Sequence, residues 1–142
     1  MSCASPAPAM PSATIVVARK GELMPEVLLV RRRSGDAFGN SYAFPGGVID
    51  HDESNAHAVC DGLSADEANT ILDAANGLDY YSAAVRELFE ETGILLARDS
   101  GGNWVSAHPN LAEQRRALNR GDLGWPEFLQ RSKLYIAGDS LH

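Results

Sequence analysis

The stretch Arg86-Glu87-Leu88-Phe89-Glu90-Glu91-Thr92-Gly93 predicts a helix whose polar face carries three acids. With 100° between successive residues, Glu87, Glu90 and Glu91 fall within an arc of roughly 100° on one side of that helix. The larger apolar side chains fall on the opposite side, where they can face a core. Gly93 is typical of the residue that ends a helix. The spacing therefore predicts an amphipathic helix with converging carboxylates.

Converging carboxylates indicate a site that binds a cation. Like charges four residues apart destabilise an isolated helix, and a divalent cation converts that repulsion into binding. Glutamate oxygens are hard ligands that suit Mg²⁺ or Mn²⁺. Acid-rich helix faces are more commonly solvated surface, but two neighbouring features favour a site here. Arg86 is placed four residues before Glu90 and can hold its carboxylate, and Phe44-Pro45-Gly46-Gly47 leads through five residues to another acid, Glu53.

The two segments together resemble the signature box of the Nudix hydrolases. Gly47-x5-Glu53 is followed by Arg86-Glu87-Leu88-x-Glu90-Glu91-x-Gly93-Ile94, and every fixed position of that pattern is filled. The resemblance implies an α+β fold of the α-β-α sandwich type, with a mixed β-sheet between helices. It also implies a metal-dependent hydrolase that cleaves the diphosphate linkage of a nucleoside diphosphate joined to another group. Its cofactor would be Mg²⁺ or Mn²⁺, and its substrate a small-molecule diphosphate.

The resemblance assigns roles to five residues. Glu87, Glu90 and Glu91 are the expected metal ligands, and Glu90 or Glu91 is the expected base that accepts a proton from the attacking water. Glu53 is expected to act as an additional ligand or as an alternative base. Arg86 is expected to orient the acids. These residues, apart from Glu87, form the predicted catalytic set, namely Glu90, Glu91, Glu53 and Arg86.

Two further features are predicted to contact the substrate. Gly46 and Gly47 permit a backbone that a ligand can approach closely, although a double glycine after proline is more commonly an ordinary turn. Arg31, Arg32 and Arg33 follow a predicted strand, and guanidinium groups match phosphate oxygens well. A solvated basic strand end explains them equally well. Because strand alternation places Arg32 on the face opposite to its two neighbours, the three cannot share one role, and Arg32 is the predicted phosphate contact.

One spacing departs from the pattern. The usual box has seven residues between its first glutamate and its arginine, whereas Glu53 and Arg86 are separated by thirty-two. The extra residues, about 54–78, carry helical signals of their own, and we expect a small helix that bulges outward. Those signals are a capping box Ser64-x-x-Glu67, a run of good helix formers over 65–75 and a stop at Asn76-Gly77. Asp79 or Ser82 is then the expected N-terminal cap of the helix that contains the acids.

An interrupted box of this kind resembles the peroxisomal acyl-CoA diphosphatase-like branch of the superfamily. That branch makes coenzyme A or an acyl-CoA the leading candidate substrate. A nucleotide sugar, a dinucleotide or a damaged nucleoside triphosphate remains open, because no pocket residue supports the choice.

The rest of the chain predicts a mixed set of short elements. Two β-branched runs joined by a turn at Gly21 indicate a hairpin. Helical aromatics such as Trp125 and Phe128 are expected in the core. The predicted strands are 13–19, 26–32, 42–44, 94–97 and 133–137, and the predicted later helices are 109–119 and one that opens at Trp125-Pro126.

Length, charge and cysteine content restrict the class of protein. For 142 residues we expect one domain at 13–142, preceded by a flexible tail at 1–12. A net charge of −7 argues against a nucleic-acid binder. Cys3 and Cys60 match no disulfide or zinc framework, so a reducing, cytoplasmic compartment fits. No apolar run approaches the roughly 18 residues that span a bilayer, so no membrane partner is expected.

Two expectations concern the whole domain. The chain ends soon after the last strand-like run, 133–137, so we expect a Nudix domain that is truncated at its C-terminus. A non-catalytic Nudix-fold binding module, or an inactive fragment, is therefore the alternative function. Related enzymes are often dimers, which makes a homodimer an option that no residue decides.

Overall fold

The computed structural model describes residues 8–32, 40–105 and 109–142. Most of the predicted tail, including Cys3, therefore lies outside the described residues, and its last residue, Ser12, opens the first strand. The strands are β1 (Ser12–Thr14), β2 (Ala18–Arg19), β3 (Glu26–Val27), β4 (Val30–Arg31), β5 (Tyr42–Ala43), β6 (Gly46–Val48), β7 (Cys60–Asp61), β8 (Ala97–Arg98) and β9 (Tyr135–Ala137). The helices are α1 (Ala65–Leu72), α2 (Gly77–Thr92), α3 (Leu111–Arg120) and α4 (Trp125–Ser132), with a 3₁₀ helix at Glu53–Val59 and another at Gly138–Ser140.

The N-terminal third forms short antiparallel strand pairs. The predicted hairpin is confirmed, since β2 pairs with β3. Each of the two long strands predicted around it is divided into two short strands, because the outer halves pair elsewhere. β1 pairs with β6, which places Ala13 opposite Gly47, and β4 pairs with β5. The β1–β6 pair is the one that shapes the candidate site, because it places Gly46 and Gly47 beside α2.

The central helix α2 contains the acidic motif. Its apolar face is buried as predicted, with Tyr81, Val85, Leu88 and Phe89 all nearly inaccessible. It ends at Gly93, which adopts a left-handed φ of 81° and donates its N–H to the carbonyl of Phe89. The prediction of the C-terminal end of α2 is therefore confirmed.

The start of α2 differs from the prediction. The helix begins at Gly77 after a left-handed Asn76, so Asp79 and Ser82 lie inside it and neither is its cap. Gly77 lies against the backbone of Ala68 in α1, where a Cβ atom would have no space. The close approach of the two helices therefore explains the glycine that the sequence marked as a stop.

The segment between Glu53 and α2 is part of the core and does not simply bulge outward. The capping box is confirmed, with Ser64 and Glu67 bonded to each other's backbone at the start of α1. However, β7 pairs in parallel with β9 near the end of the chain, and Ala56 in the 3₁₀ helix is fully buried. The pairing of β7 with β9 was not predicted, because strand pairing to a distant segment leaves no local signal.

An aromatic cluster joins the C-terminal helices to α2. Phe128 stacks on Phe89 with 5.4 Å between ring centroids, and Trp125 lies 5.6 Å from Phe128. The core role predicted for Trp125 and Phe128 is confirmed by their burial. In the part of the chain that the structure describes, no helix has the length and apolar character needed to cross a membrane.

Candidate active site

Three acids project from the last turns of α2 as predicted, on the side away from its buried apolar face. The side chains of Glu87 and Glu90 are only 15% and 21% exposed, whereas Glu91 is more open to solvent. Two carboxylates are therefore held partly out of water, where charge is costly unless it is compensated.

Arg86 supplies that compensation. Its side chain is 5% exposed, and its Nη1 lies 2.8 Å from a carboxylate oxygen of Glu87 and 3.5 Å from one of Glu90. Its Nε lies 3.1 Å from Glu53, and its Nη2 donates to the carbonyl of Val48 at 2.9 Å. Each nitrogen of the guanidinium thus has an acceptor. The geometry matches the orienting role expected for Arg86, and it brings Glu53 to the same cluster.

Glu53 reaches the cluster from the buried side. It is 1% exposed, and its Oε1 accepts a hydrogen bond from the Ser82 hydroxyl at 2.6 Å. The indole N–H of Trp125 donates to the same hydroxyl oxygen at 3.0 Å. Burial raises the pKa of Glu53, while the donors Ser82 and Arg86 and the Asp50 N–H oppose that rise. Sequence reasoning missed Ser82, which was considered only as a helix cap, and Trp125, which was considered only as a core residue.

The double glycine lies against the acids. A Cβ atom on Gly47 would overlap the carboxylate of Glu87, so a larger residue at this position would displace the end of that side chain. A Cβ atom on Gly46 would overlap the backbone of β1, and the backbone N–H of Gly46 binds the carboxylate of Glu91. Carboxylates of the protein itself therefore lie against both glycines, and their contact with a substrate stays a prediction.

The carboxyl groups of the site are held in an environment that disfavours their charged form. The pKa of Glu90 is raised to about 7, mainly by burial, with smaller contributions from the carboxylates of Glu87, Asp50 and Glu53 and with Arg86 opposing the rise. Burial and the nearby Glu87 also raise the pKa of Glu91. Arg86 alone therefore does not neutralise the cluster.

Arg32 is the second cation that acts on the acids. It is exposed at the end of β4, and its charge lowers the pKa of Glu91 against the effect of burial. Arg31 instead donates to the side chain of Asn40 at 2.6 Å. Arg33 lies outside the described residues. The structure thus brings Arg32 near the acidic face.

The donor chemistry of this face fits a hard divalent cation, but the side chains are not preassembled around one. Among residues 8–32, 40–105 and 109–142, no three His, Cys, Asp or Glu side chains converge in an arrangement that could hold a metal ion. The reason is visible in the contacts: Glu87 and Glu90 turn toward Arg86, and Glu91 turns toward Gly46. Metal binding would therefore require these carboxylates to rotate away from their present partners.

Other contacts that sequence reasoning missed hold the ends of α2. Arg115 and Asn119 of α3 donate to the carbonyl of Glu90 at 2.9 and 3.2 Å. Near the other end, His57 lies 2.7 Å from Asp79. Neither pairing leaves a local pattern, because each joins segments more than twenty residues apart in sequence.

Cys60 is unsuited to act as a nucleophile. Burial, with the nearby charges of Glu53 and Asp79, raises the pKa of its thiol to about 12. A thiol needs a lowered pKa to react as thiolate near neutral pH. The environment of Cys60 therefore favours an inert thiol.

The raised pKa values predict how stability depends on pH. A carboxyl whose pKa rises on folding from 4.5 to about 7 binds more protons in the folded state across that interval. The free energy of unfolding should therefore fall as pH rises from about 4.5 to about 7. Urea denaturation at pH 5 and pH 8 measures the change, and Glu90→Gln should reduce its slope. Glu113→Gln, which alters an exposed acid of α3, serves as the control. A slope identical in wild type and Glu90→Gln would contradict the assignment.

The structure is similar to the crystal structure of a NUDIX hydrolase from Alicyclobacillus acidocaldarius. The TM-score is 0.70 and the sequence identity 25%, and the match covers 93% of this chain. The fold is that of a Nudix hydrolase. The predicted fold class is thereby confirmed, and the likeness supports the resemblance to the Nudix superfamily that the sequence indicated. The chain spans 58% of the length of that protein. No protein-family model and no curated protein matches the sequence.

Proposed function

We propose that this chain is a metal-dependent Nudix-type diphosphatase, which hydrolyses the phosphoanhydride bond of a nucleoside diphosphate-linked small molecule. The observation that carries the proposal is the clustering of partly buried carboxylates around Arg86, beside a glycine that no other residue can replace without displacing Glu87. A protein gains no stability from crowding acids in this way. The arrangement does suit a site that takes up positive charge together with its ligand.

Glu87, Glu90 and Glu91 would hold the metal. Three carboxylates at one helix face match the oxygen ligands of Mg²⁺ or Mn²⁺. When bound, such an ion neutralises charge on phosphate oxygens and lowers the pKa of a coordinated water. Burial and, after it, the neighbouring carboxylates raise the pKa of Glu90 and Glu91. This supports the assignment, because a divalent cation would offset the cost of holding these charges partly out of water.

Glu90 is the better candidate for the base that accepts a proton from the attacking water. A base works best when its pKa lies near the working pH, and that of Glu90 is raised to about 7. Glu91 remains the second candidate, since burial raises its pKa as well. Glu53 is less suited to either role, because its carboxylate is buried and already accepts hydrogen bonds from Ser82 and Arg86.

The substrate would meet Arg32 at the open side of the acids. The guanidinium is exposed and close enough to Glu91 to affect its pKa, so it can pair with a phosphate placed over the acidic face. Coenzyme A or an acyl-CoA stays the leading candidate substrate on account of the interrupted box. Nucleotide sugars, dinucleotides and nucleoside triphosphates are the alternatives.

Chromatographic detection of the two phosphomonoester products of each substrate tests the proposal. The purified chain is incubated with a panel of diphosphate compounds (coenzyme A, an acyl-CoA, a nucleotide sugar and a dinucleotide), with Mg²⁺, with Mn²⁺ and with a chelator. Hydrolysis that requires a metal supports the proposal, and the panel ranks the substrates. Binding of a panel member without turnover would favour the alternative of a non-catalytic Nudix-fold module.

The role of Gly47 leads to a mutational prediction. Gly47→Ala should lower turnover by about 10-fold, because the added methyl group displaces the carboxylate of Glu87. The effect on stability should be small, since the atoms that must move are the end of a flexible side chain. Steady-state kinetics and urea denaturation separate the two effects. Gly102→Ala is a control for turnover alone: nothing lies within 4 Å of an added methyl group there, but the left-handed φ of 79° makes alanine costly for stability. Unchanged turnover in Gly47→Ala would contradict the proposed role of Glu87.

A further inference from the structure

A hydrogen-bonded chain links the core of the protein to the acidic face. It starts at the indole of Trp125 in α4, passes through the Ser82 hydroxyl in α2 and reaches the carboxylate of Glu53. Glu53 then binds Nε of Arg86, whose Nη1 holds Glu87 and Glu90. Ser82 is completely buried and Trp125 is 4% exposed, so water does not compete for these bonds.

The chemistry of the groups sets the direction of each bond. An indole N–H can only donate, so the Ser82 oxygen accepts from Trp125. A carboxylate can only accept, and Glu53 must accept from the guanidinium of Arg86, so the Ser82 hydroxyl hydrogen points at Glu53. The indole therefore leaves the Ser82 hydroxyl one orientation that satisfies every partner. Through it, α4 determines the position of Glu53.

We propose that Ser82 and Trp125 are positioning residues for the acidic face: the indole N–H directs the Ser82 hydroxyl to Glu53, and Glu53 fixes Arg86 between Glu87 and Glu90. Neither residue belongs to the Nudix signature, and the hydrogen bonds described for them lead to Glu53 and not to Glu87, Glu90 or Glu91. Their effect on turnover rests on the proposed function, whereas the hydrogen-bonded chain itself does not.

Kinetics test the effect on turnover. Ser82→Ala should lower kcat by about 10-fold, as expected for the loss of one hydrogen bond to a charged group, with KM changed by less than about twofold. Ser82→Thr keeps the hydroxyl and should restore most of kcat. Ser132→Ala is the matched control, because it removes a hydroxyl of α4 that bonds Gln114 and not Glu53. A merely structural role predicts lower stability with unchanged kcat for folded Ser82→Ala, and that result would overturn the proposal.

A second measurement does not depend on turnover. The chain has two tryptophans, so ¹H–¹⁵N spectra contain two indole N–H signals, and Trp125→Phe identifies the one that belongs to α4. Glu53→Gln should shift the Trp125 signal although it does not touch the indole, because a neutral amide draws the Ser82 hydroxyl less strongly than a carboxylate. The exposed Trp104 is the internal reference.

The two measurements separate the possible failures. If the wild-type protein hydrolyses no diphosphate, the proposed function fails, and the indole signal still decides whether Glu53 acts on Trp125 through Ser82. An unchanged Trp125 signal in Glu53→Gln would overturn the proposed chain of positioning bonds. If Ser82→Ala does not fold, Trp125→Phe removes the indole donor while keeping an aromatic ring, and a kcat equal to that of wild type would likewise count against the proposal.

Discussion

Glu90→Gln and Glu91→Gln are each expected to lower kcat by about 100-fold or more with Mg²⁺ present. An amide keeps the shape of the side chain but loses the charge that would bind a cation and the basicity that would accept a proton. Glu90→Gln should show the larger loss, because it combines both effects in our assignment. Steady-state kinetics on the best substrate of the panel, repeated over a range of Mg²⁺ concentrations, measure the change.

The stability of these variants provides a second, independent test of the roles assigned to the acids. Glu90 is partly buried among like charges, so replacing it with a neutral amide should raise the free energy of unfolding at pH 8 in the absence of metal. If a variant is more stable than the wild-type protein but less active, the replaced residue serves function at a cost in stability. Glu113→Gln changes an exposed acid of α3 and should alter neither property. Turnover close to wild type in both site variants would refute the metal assignment.

The sequence predicts the acidic helix well because all of its information is local. The apolar positions of α2, its glycine end and its three outward acids follow from a spacing of 100° per residue, and each is observed. The capping box at Ser64 is likewise local and is confirmed. The start of α2 was predicted wrongly because Gly77 is required by close packing against the backbone of α1. The residues next to Gly77 in sequence carry no sign of this tertiary contact.

The parts of the site that sequence reasoning missed depend on distant pairings. Ser82 and Trp125 are separated by 43 positions, and Glu53 and Ser82 by 29. A serine inside a helix and a tryptophan at the start of another have ordinary explanations when they are considered alone. Only the packing of α4 against α2 shows that they share one hydroxyl. The one signal in the sequence is the position of Ser82, three and seven residues before Val85 and Phe89, which places a hydroxyl group on the apolar side of the helix.

The segment after Glu53 also depends on a long-range pairing that the sequence does not predict. Its helix was predicted from composition and capping, but its pairing with β9 was not, since a two-residue parallel strand carries no periodic pattern. That pairing anchors the 3₁₀ helix on which Glu53 lies. Glu53 is therefore held in place although thirty-two residues separate it from Arg86 in sequence. Its carboxylate lies 3.1 Å from Nε of Arg86.

Arg86→Ala is expected to reduce both stability and activity. Removing the guanidinium leaves the carboxylate of Glu53 buried without its cation, and breaking a buried ion pair in this way costs about 3–5 kcal/mol. Such a loss is a large part of the ~5–15 kcal/mol that typically stabilises a domain. Activity should fall as well, because Glu87 and Glu90 lose the group that orients them. Urea denaturation and kinetics at a temperature where the variant stays folded measure the two effects.

A second substitution distinguishes an unpaired buried charge from lost packing. If the penalty in Arg86→Ala arises from the unpaired charge of Glu53, adding Glu53→Gln should recover part of the stability, whereas a simple cavity would make the double variant no better. Arg131→Ala is the control: it also breaks an arginine–glutamate pair four residues apart, but both partners are exposed, so it should cost less than about 1 kcal/mol. Activity should not return in the double variant, because nothing then holds Glu87 and Glu90 in place. Unchanged stability and turnover in Arg86→Ala would show that the acids are arranged without it, contrary to the contacts around its guanidinium.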